Sequence, residues 1–302
     1  MAAWLLSSLV VAATVTVSSG GPPPPAFNTT LAWYGHVLSQ IAYCQKDEIT
    51  NWNALPCDTA KGLGLSVTAP PTVIDGRVGG FKKVYDWGTR VYVAALSEER
   101  IVVSFRGSSN LTNWLADFDF QNMVPYETEC PECKVHGGFY KSWLSVARET
   151  TAAVQALRVQ HPKADILVTG HSLGAAMAVL CATSLYYNLG LPVTHVYTYG
   201  QPRVGNAAFH RFYNNGTTAR QYASNGSSFR LVHWRDPVPR LPFQILGFEH
   251  TSTEVWYTED SKDYVVCDGG GEDPLCSDSL PLDLRQASDH CDYMGHDICG
   301  CI

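Results

Sequence analysis

The stretch Ile166-Leu167-Val168-Thr169-Gly170-His171-Ser172-Leu173-Gly174, with Ala175 to Leu185 behind it, constrains this chain more than any other segment. Its short apolar start reads as a buried strand, and the alanine- and leucine-rich run that follows is a strong helix former. Between them lies Gly-x-Ser-x-Gly. A serine in that place sits on a tight, strained strand-to-helix turn that exposes its Oγ, and the flanking glycines let strand and helix approach closely. Ser172 is therefore the candidate nucleophile, and its strand needs a sheet to join.

Other segments supply one. Val91 to Leu96 and Ile101 to Phe105 are β-branched and aromatic runs separated by polar Ser97-Glu98-Glu99-Arg100, the pattern of a hairpin. Val193 to Tyr199, Phe229 to Trp234 and Thr253 to Tyr257 read as further strands. Leu31 to Cys44 repeats apolar residues at three- and four-residue steps, as does Trp143 to Leu157, which ends near His161-Pro162. A helix around Ala207 to Tyr213 lies between two strand patterns. Strands alternating with helices predict an α/β fold with a mostly parallel central sheet and helices on both faces. At 302 residues, 45% hydrophobic, the chain can bury one large core.

A serine hydroxyl is a weak nucleophile at neutral pH, so it needs a general base, and the base needs an acceptor that sets its tautomer. On α/β-hydrolase folds the chain order is serine, acid, histidine. Asp236 stands out among the acids because it follows the apolar strand Phe229 to Trp234 at its carboxyl end, where open α/β sheets carry functional residues. Three histidines come later, His250, His290 and His296, and spacing alone does not choose among them.

The first residues differ in kind. Ala2 to Val17 carries no charge, is rich in Leu, Val and Ala, and gives way to Ser18-Ser19-Gly20, which predicts a signal peptide over 1–20. The run is short for a membrane span, although its start lacks Lys and Arg, which leaves an uncleaved anchor as the alternative. A Pro-rich linker, 21–30, then leads into a catalytic domain over 31–302. Ten cysteines in an exported chain favour disulfides over metal or redox sites. Asn28, Asn110, Asn215 and Asn225 each head a glycosylation sequon. The formal charge is -7 and the 21 Lys and Arg residues form no block, which argues against a nucleic-acid partner.

Six stretches in order resemble the fungal-type class 3 lipases, a family that includes triacylglycerol lipases and feruloyl esterases. They are Val103 to Ser108, Val135 to Phe139, Thr169 to Gly174, Tyr199 to Asn206, Asp236 to Pro242, and Asp289-His290-Cys291-Asp292-Tyr293. The resemblance implies the α/β-hydrolase fold with a short helical lid. It implies His290 as the catalytic histidine, in an Asp-His-x-x-Tyr segment near the end of the chain, and gives His250 a structural part. It places the oxyanion hole at the Leu173 backbone and at Ser108. The chemistry needs such donors, since losing one typically raises the barrier by roughly 3 to 4 kcal/mol. The chain departs from the family in Met294 and its cysteine-rich finish. Among the cysteines, Cys130 with Cys133 and Cys267 with Cys276 resemble family bridges. Cys44 is expected to reach Cys299 or Cys301, Cys181 to be a buried thiol, and Cys57 and Cys291 have no assigned partner.

Family lipases carry the lid just after the residue matching Ser108. Here Leu111, Trp114, Leu115 and Phe118 fall on one face of a helical pattern, with Asn110, Asn113 and Asp117 on the other. Such a helix either packs permanently or covers an acyl groove and opens at an oil surface. The resemblance implies a secreted, single-copy triacylglycerol lipase that acts on lipid esters at an oil-water interface, without metal or organic cofactor. The alternatives are a feruloyl or other soluble carboxylic esterase, a phospholipase A1, and, in another class, a non-catalytic lipid-binding protein.

Overall fold

The structure, a computed structural model, describes residues 26–76, 88–97, 99–108, 119, 121–126, 130–218, 226–251, 253–283 and 286–302. The expected signal peptide, the prolines of the linker, the lid residues Leu111, Trp114, Leu115 and Phe118, and the sequon residues Asn110 and Asn225 lie outside the described residues.

The chain opens with helix α1 (Thr29–Ile41) and two short helices, α2 (Lys46–Asn51) and α3 (Leu55–Gly62). Strands β1 (Thr72–Asp75), β2 (Arg90–Leu96) and β3 (Arg100–Phe105) follow, then the short β4 (Met123–Pro125) and β5 (Lys134–His136). The long helix α4 (Gly137–Gln160) leads to β6 (Asp165–His171), α5 (Leu173–Leu189), β7 (His195–Tyr199), β8 (Gly205–Asn206) and α6 (Ala207–Tyr213). The last strands are β9 (Ser227–His233), β10 (Phe248–Glu249), β11 (Thr253–Tyr257), β12 (Tyr264–Val266), β13 (Asp292–Tyr293) and β14 (His296–Asp297).

Eight strands make the main sheet, in the order β1-β2-β3-β6-β7-β9-β11-β12. Its middle, from β3 through β6, β7 and β9 to β11, is parallel, and the pairs β1/β2, β2/β3 and β11/β12 at its edges are antiparallel. Alternation along each strand sorts side chains between two cores. Val91, Val93, Ile101, Val103, Ile166 and Val168 face the cluster under α4 and α5. Tyr92, Ala94, Val102 and Leu167 face the cluster under α1. Helices therefore cover both faces, which is why the central strands read as unbroken apolar runs.

Several boundaries differ from the apolar period. Helix α1 begins at Thr29 because the Asn28 side chain accepts from the Leu31 N–H at 3.0 Å and satisfies a helix-start donor. Helix α4 begins at Gly137, well before Trp143, because His136 serves as its N-cap and accepts from the Phe139 N–H. A second sheet, β10-β8-β5-β4, is built from strands of two or three residues, too short to leave a sequence pattern.

Four disulfides staple the loops: Cys44–Cys301, Cys130–Cys133, Cys267–Cys276 and Cys291–Cys299. Cys57 and Cys181 are buried thiols. The Cys44–Cys301 bridge spans 257 residues, and on chain entropy a loop of that length removes roughly 5 kcal/mol of freedom from the unfolded state. Among the described residues no helix is long and apolar enough to cross a membrane.

Several histidines are buried neutral. Burial holds His36 down to about 3 and His136 and His195 down to about 4. Above pH 6.5 neither the folded nor the unfolded chain protonates these rings, so they leave stability unchanged. Below it the unfolded chain binds protons that the folded chain refuses, and stability falls until the folded values are reached. Melting measured by circular dichroism should therefore be flat in this respect above pH 6.5 and drop steadily from pH 6.5 towards 4.

Candidate active site

The candidate nucleophile sits where strand β6 turns into helix α5. Ser172 has φ 59° and ψ -127°, a left-handed conformation that is costly for a residue with a side chain. It is held there by its own N–H, which donates to the Tyr199 carbonyl on β7 at 2.9 Å. The flanking glycines are required by contact. A Cβ on Gly170 would lie 2.5 Å from the Gly174 backbone, and one on Gly174 would lie 2.2 Å from the Phe105 carbonyl oxygen. Helix α5 thus presses onto the ends of β3 and β6. From Leu173 to Leu185 it is buried on every side.

Asp236 lies just beyond the carboxyl end of β9 and is buried. Its Oδ1 accepts from the Val238 N–H at 2.8 Å. Its Oδ2 accepts from the Tyr293 hydroxyl at 2.5 Å and from His290 Nδ1 at 2.8 Å. Tyr293 stays a donor, because burial first and the neighbouring carboxylate second push its pKa well above the usual tyrosine value. A carboxylate only accepts, so Nδ1 of His290 carries the ring proton, and Nε2 presents a lone pair. That Nε2 is buried and has no hydrogen-bond partner among the described residues. The bond between it and Ser172 Oγ is therefore open in this structure, as nucleophile–base bonds often are before substrate arrives.

The other two histidines are engaged elsewhere. His250 is buried and its Nε2 donates to the Pro239 carbonyl at 2.6 Å. Burial, followed by the charges of nearby Arg230, holds its pKa well below the ordinary histidine value. His296 is exposed on β14 and its ring lies against Trp33, with centroids 4.5 Å apart. Of the three, only His290 shares a hydrogen bond with Asp236.

Gly107 follows β3 and comes close to the elbow, since a Cβ there would lie 3.0 Å from the Ser172 Cβ. Ser108, the next residue, is half-buried. Leu173 is buried at the first position of α5, so its N–H belongs to the positive end of a 17-residue helix. The candidate lid lies outside the described residues. Two groups of Cys and Glu side chains come close enough for metal binding, around Glu48 and around Glu254, but all their cysteines are in disulfides and offer no thiolate. A surface cleft of about 250 Å³ is lined by Tyr140, Trp143 and Asn188.

Sequence reasoning missed three features of this site: Tyr293, the Tyr43–His171 pair and Gly200. Tyr293 was visible only as part of a motif, without a role. Tyr43 and His171, which bond to each other at 2.7 Å, left no pattern of their own. Gly200 is the third. It has φ +57°, and a Cβ there would meet His290 Cε1 at 2.6 Å, Nδ1 at 2.7 Å and Asp236 Oδ2 at 3.0 Å. Gly200→Ala should therefore push the His290 ring aside and slow labelling of Ser172 by a serine-directed phosphonate up to about 100-fold. Circular dichroism should show the fold retained.

The chain is similar to known lipases. The model of the family "Lipase (class 3)" matches residues 102–246. A lipase of Rhizomucor miehei is 35% identical over 270 residues, 87% of this chain and 67% of that one. The secreted mono- and diacylglycerol lipase 1 of Fusarium solani is 37% identical over 242 residues, 76% of this chain and 65% of that one. Against the curated relatives it matches, the chain spans from about half to two thirds of their length. A solved triacylglycerol lipase, described as having a serine protease triad at its catalytic centre, superposes with a TM-score of 0.75 at 34% identity, covering 91% of this chain and 97% of that one. Lipase II of Rhizopus niveus gives a TM-score of 0.76 at 26% identity.

Proposed function

This chain belongs to the class 3 lipase family, and from that premise we propose that it is a secreted triacylglycerol lipase acting through Ser172, His290 and Asp236. The observation that carries the reading is the buried His290–Asp236 pair, with Nδ1 committed to the acid and Nε2 unpartnered. Only a strained serine at the neighbouring elbow gives such a ring nitrogen a task.

The reaction runs in two halves. Ser172 Oγ attacks the ester carbonyl carbon while Nε2 of His290 takes its proton. Negative charge gathers on the carbonyl oxygen, where the Leu173 N–H and Ser108 donate. Asp236 orients the imidazole and stabilises the imidazolium, which then gives the proton to the leaving alcohol as the C–O bond breaks. Water attacks the acyl-enzyme, passing its proton to the same nitrogen, and the fatty acid leaves as Ser172 regains its proton. Besides water and the ester, every step uses groups of one copy of this chain.

The relatives named above are lipases, and the one from Fusarium solani is described as secreted and as a mono- and diacylglycerol lipase. Export agrees with four disulfides, which persist in oxidising compartments, and with removal of residues 1–20 as a signal peptide. Residues 109–120 act in this reading as a lid that covers the acyl groove in water and meets the oil surface when open.

A serine-directed phosphonate is expected to modify Ser172 and stop turnover. His290→Ala and Asp236→Asn should each lower kcat by about 10⁴-fold, whereas His250→Ala, if folded, should keep its chemistry. An active His290→Ala with an inactive His250→Ala would sink this assignment. On substrates, the rate on emulsified long-chain triacylglycerol should jump once an interface forms. Preference for a soluble feruloyl ester, with no such jump, would replace lipase by esterase.

A further inference from the structure

His290 has neither a strand of the main sheet nor a long helix beneath it; it closes a 3-10 turn, Ala287–His290. Something else must hold its backbone still, because a base displaced by an ångström loses much of its effect. The structure places His171, the residue before the nucleophile, against it. The two rings lie 4.4 Å apart, and His171 Nε2 is 2.8 Å from the His290 carbonyl oxygen. On its other side His171 Nδ1 is 2.7 Å from the hydroxyl of Tyr43, a residue just past α1. The Tyr43 oxygen also packs against Gly107 so closely that a Cβ there would collide with it.

The direction of each bond is forced. The His290 carbonyl can only accept, so Nε2 of His171 carries the ring proton. A neutral ring then has a lone pair at Nδ1, which must accept from the Tyr43 hydroxyl.

We propose that Tyr43 and His171 are positioning residues for catalysis, through one directed relay: the Tyr43 hydroxyl to His171 Nδ1, and His171 Nε2–H to the His290 carbonyl. The relay couples the end of α1 to the elbow of Ser172 and to the histidine loop, and its Tyr43 hydroxyl packs on Gly107 in the turn after β3. These segments are distant in sequence, and the relay fixes their relative positions with bonds whose polarity does not reverse. Burial raises the Tyr43 pKa above the ordinary tyrosine value, and burial followed by His290 holds that of His171 well below the ordinary histidine value. Tyr43 therefore stays a donor and His171 stays neutral across the range in which an ester hydrolase works. No proton moves along the relay, and neither residue touches the ester.

The proposal rests on the reading of Ser172 and His290 as nucleophile and base, and the test separates the two. Tyr43→Phe removes only the hydroxyl. His171→Gln places an amide where Nε2 donates and so conserves the bond to His290 while losing the one to Tyr43. His171→Asn is too short to reach His290. With a soluble short-chain nitrophenyl ester, Tyr43→Phe and His171→Gln should each lower kcat up to about 100-fold with KM nearly unchanged. The double variant should be no worse than the poorer single one, because both cut the same relay. His171→Asn should fall below His171→Gln. Unchanged kcat in Tyr43→Phe, or losses that multiply in the double variant, would overturn the proposal while phosphonate labelling of the wild type left the nucleophile in place. Should the His171 variants not fold, the kcat-against-KM split in Tyr43→Phe decides alone. A wild type that neither hydrolyses the ester nor takes the phosphonate would overturn both readings.

Discussion

A buried carboxylate is costly unless donors surround it, and the one at Asp236 organises much of this molecule. Its oxygens meet the Val238 N–H, the Tyr293 hydroxyl and His290 Nδ1. Each donor comes from a different constraint. Val238 is reached by a turn after β9, Tyr293 by the short strand β13, and His290 by a single turn of 3-10 helix. Gly200, at the end of β7, leaves the space in which acid and ring meet. Removing any one of these would leave the charge with less compensation and the ring with more freedom, so stability and chemistry depend on the same atoms.

The histidine loop itself has little regular structure, and covalent bonds take its place. Cys291, next to His290, is joined to Cys299, and the tail beyond is joined to Cys44 near the end of α1. The Cys44–Cys301 bridge brings the last residues onto the first helix, where the Gln40 side chain donates to the carbonyls of Asp297 and Ile302. The cysteine-rich finish, which sets this chain apart from the family pattern, therefore anchors the segment that carries His290. Tyr43 lies one residue before Cys44, so the same corner of the molecule holds the histidine loop both by a disulfide and by the relay through His171.

Legibility in the sequence followed the range of the interactions involved. The elbow at Ser172 is local, so strand, turn and helix could be read from consecutive residues, and the two-core sheet followed from apolar runs that alternate with helices. The hairpin of β2 and β3 was legible for the same reason. The second sheet was not, because β8 and β10 have two residues each and are held by pairing across the fold. Helix starts at Thr29 and Gly137 escaped the apolar period because caps set them.

By itself the sequence determined the elbow, its serine, the acid at the end of β9 and the need for a later histidine, since each is stated by neighbouring residues or by chain order. Spacing alone left His250 and His290 on equal terms and the family resemblance implied His290; the tertiary structure gives His250 to Pro239 and His290 to Asp236. It also decided that Cys44 pairs with Cys301 and Cys291 with Cys299, and that Tyr43 reaches His171. The physical reason is common to all three. Hydrogen bonds and disulfides select partners by distance and direction in space, and between segments this far apart in the chain those quantities exist only once the sheet has formed.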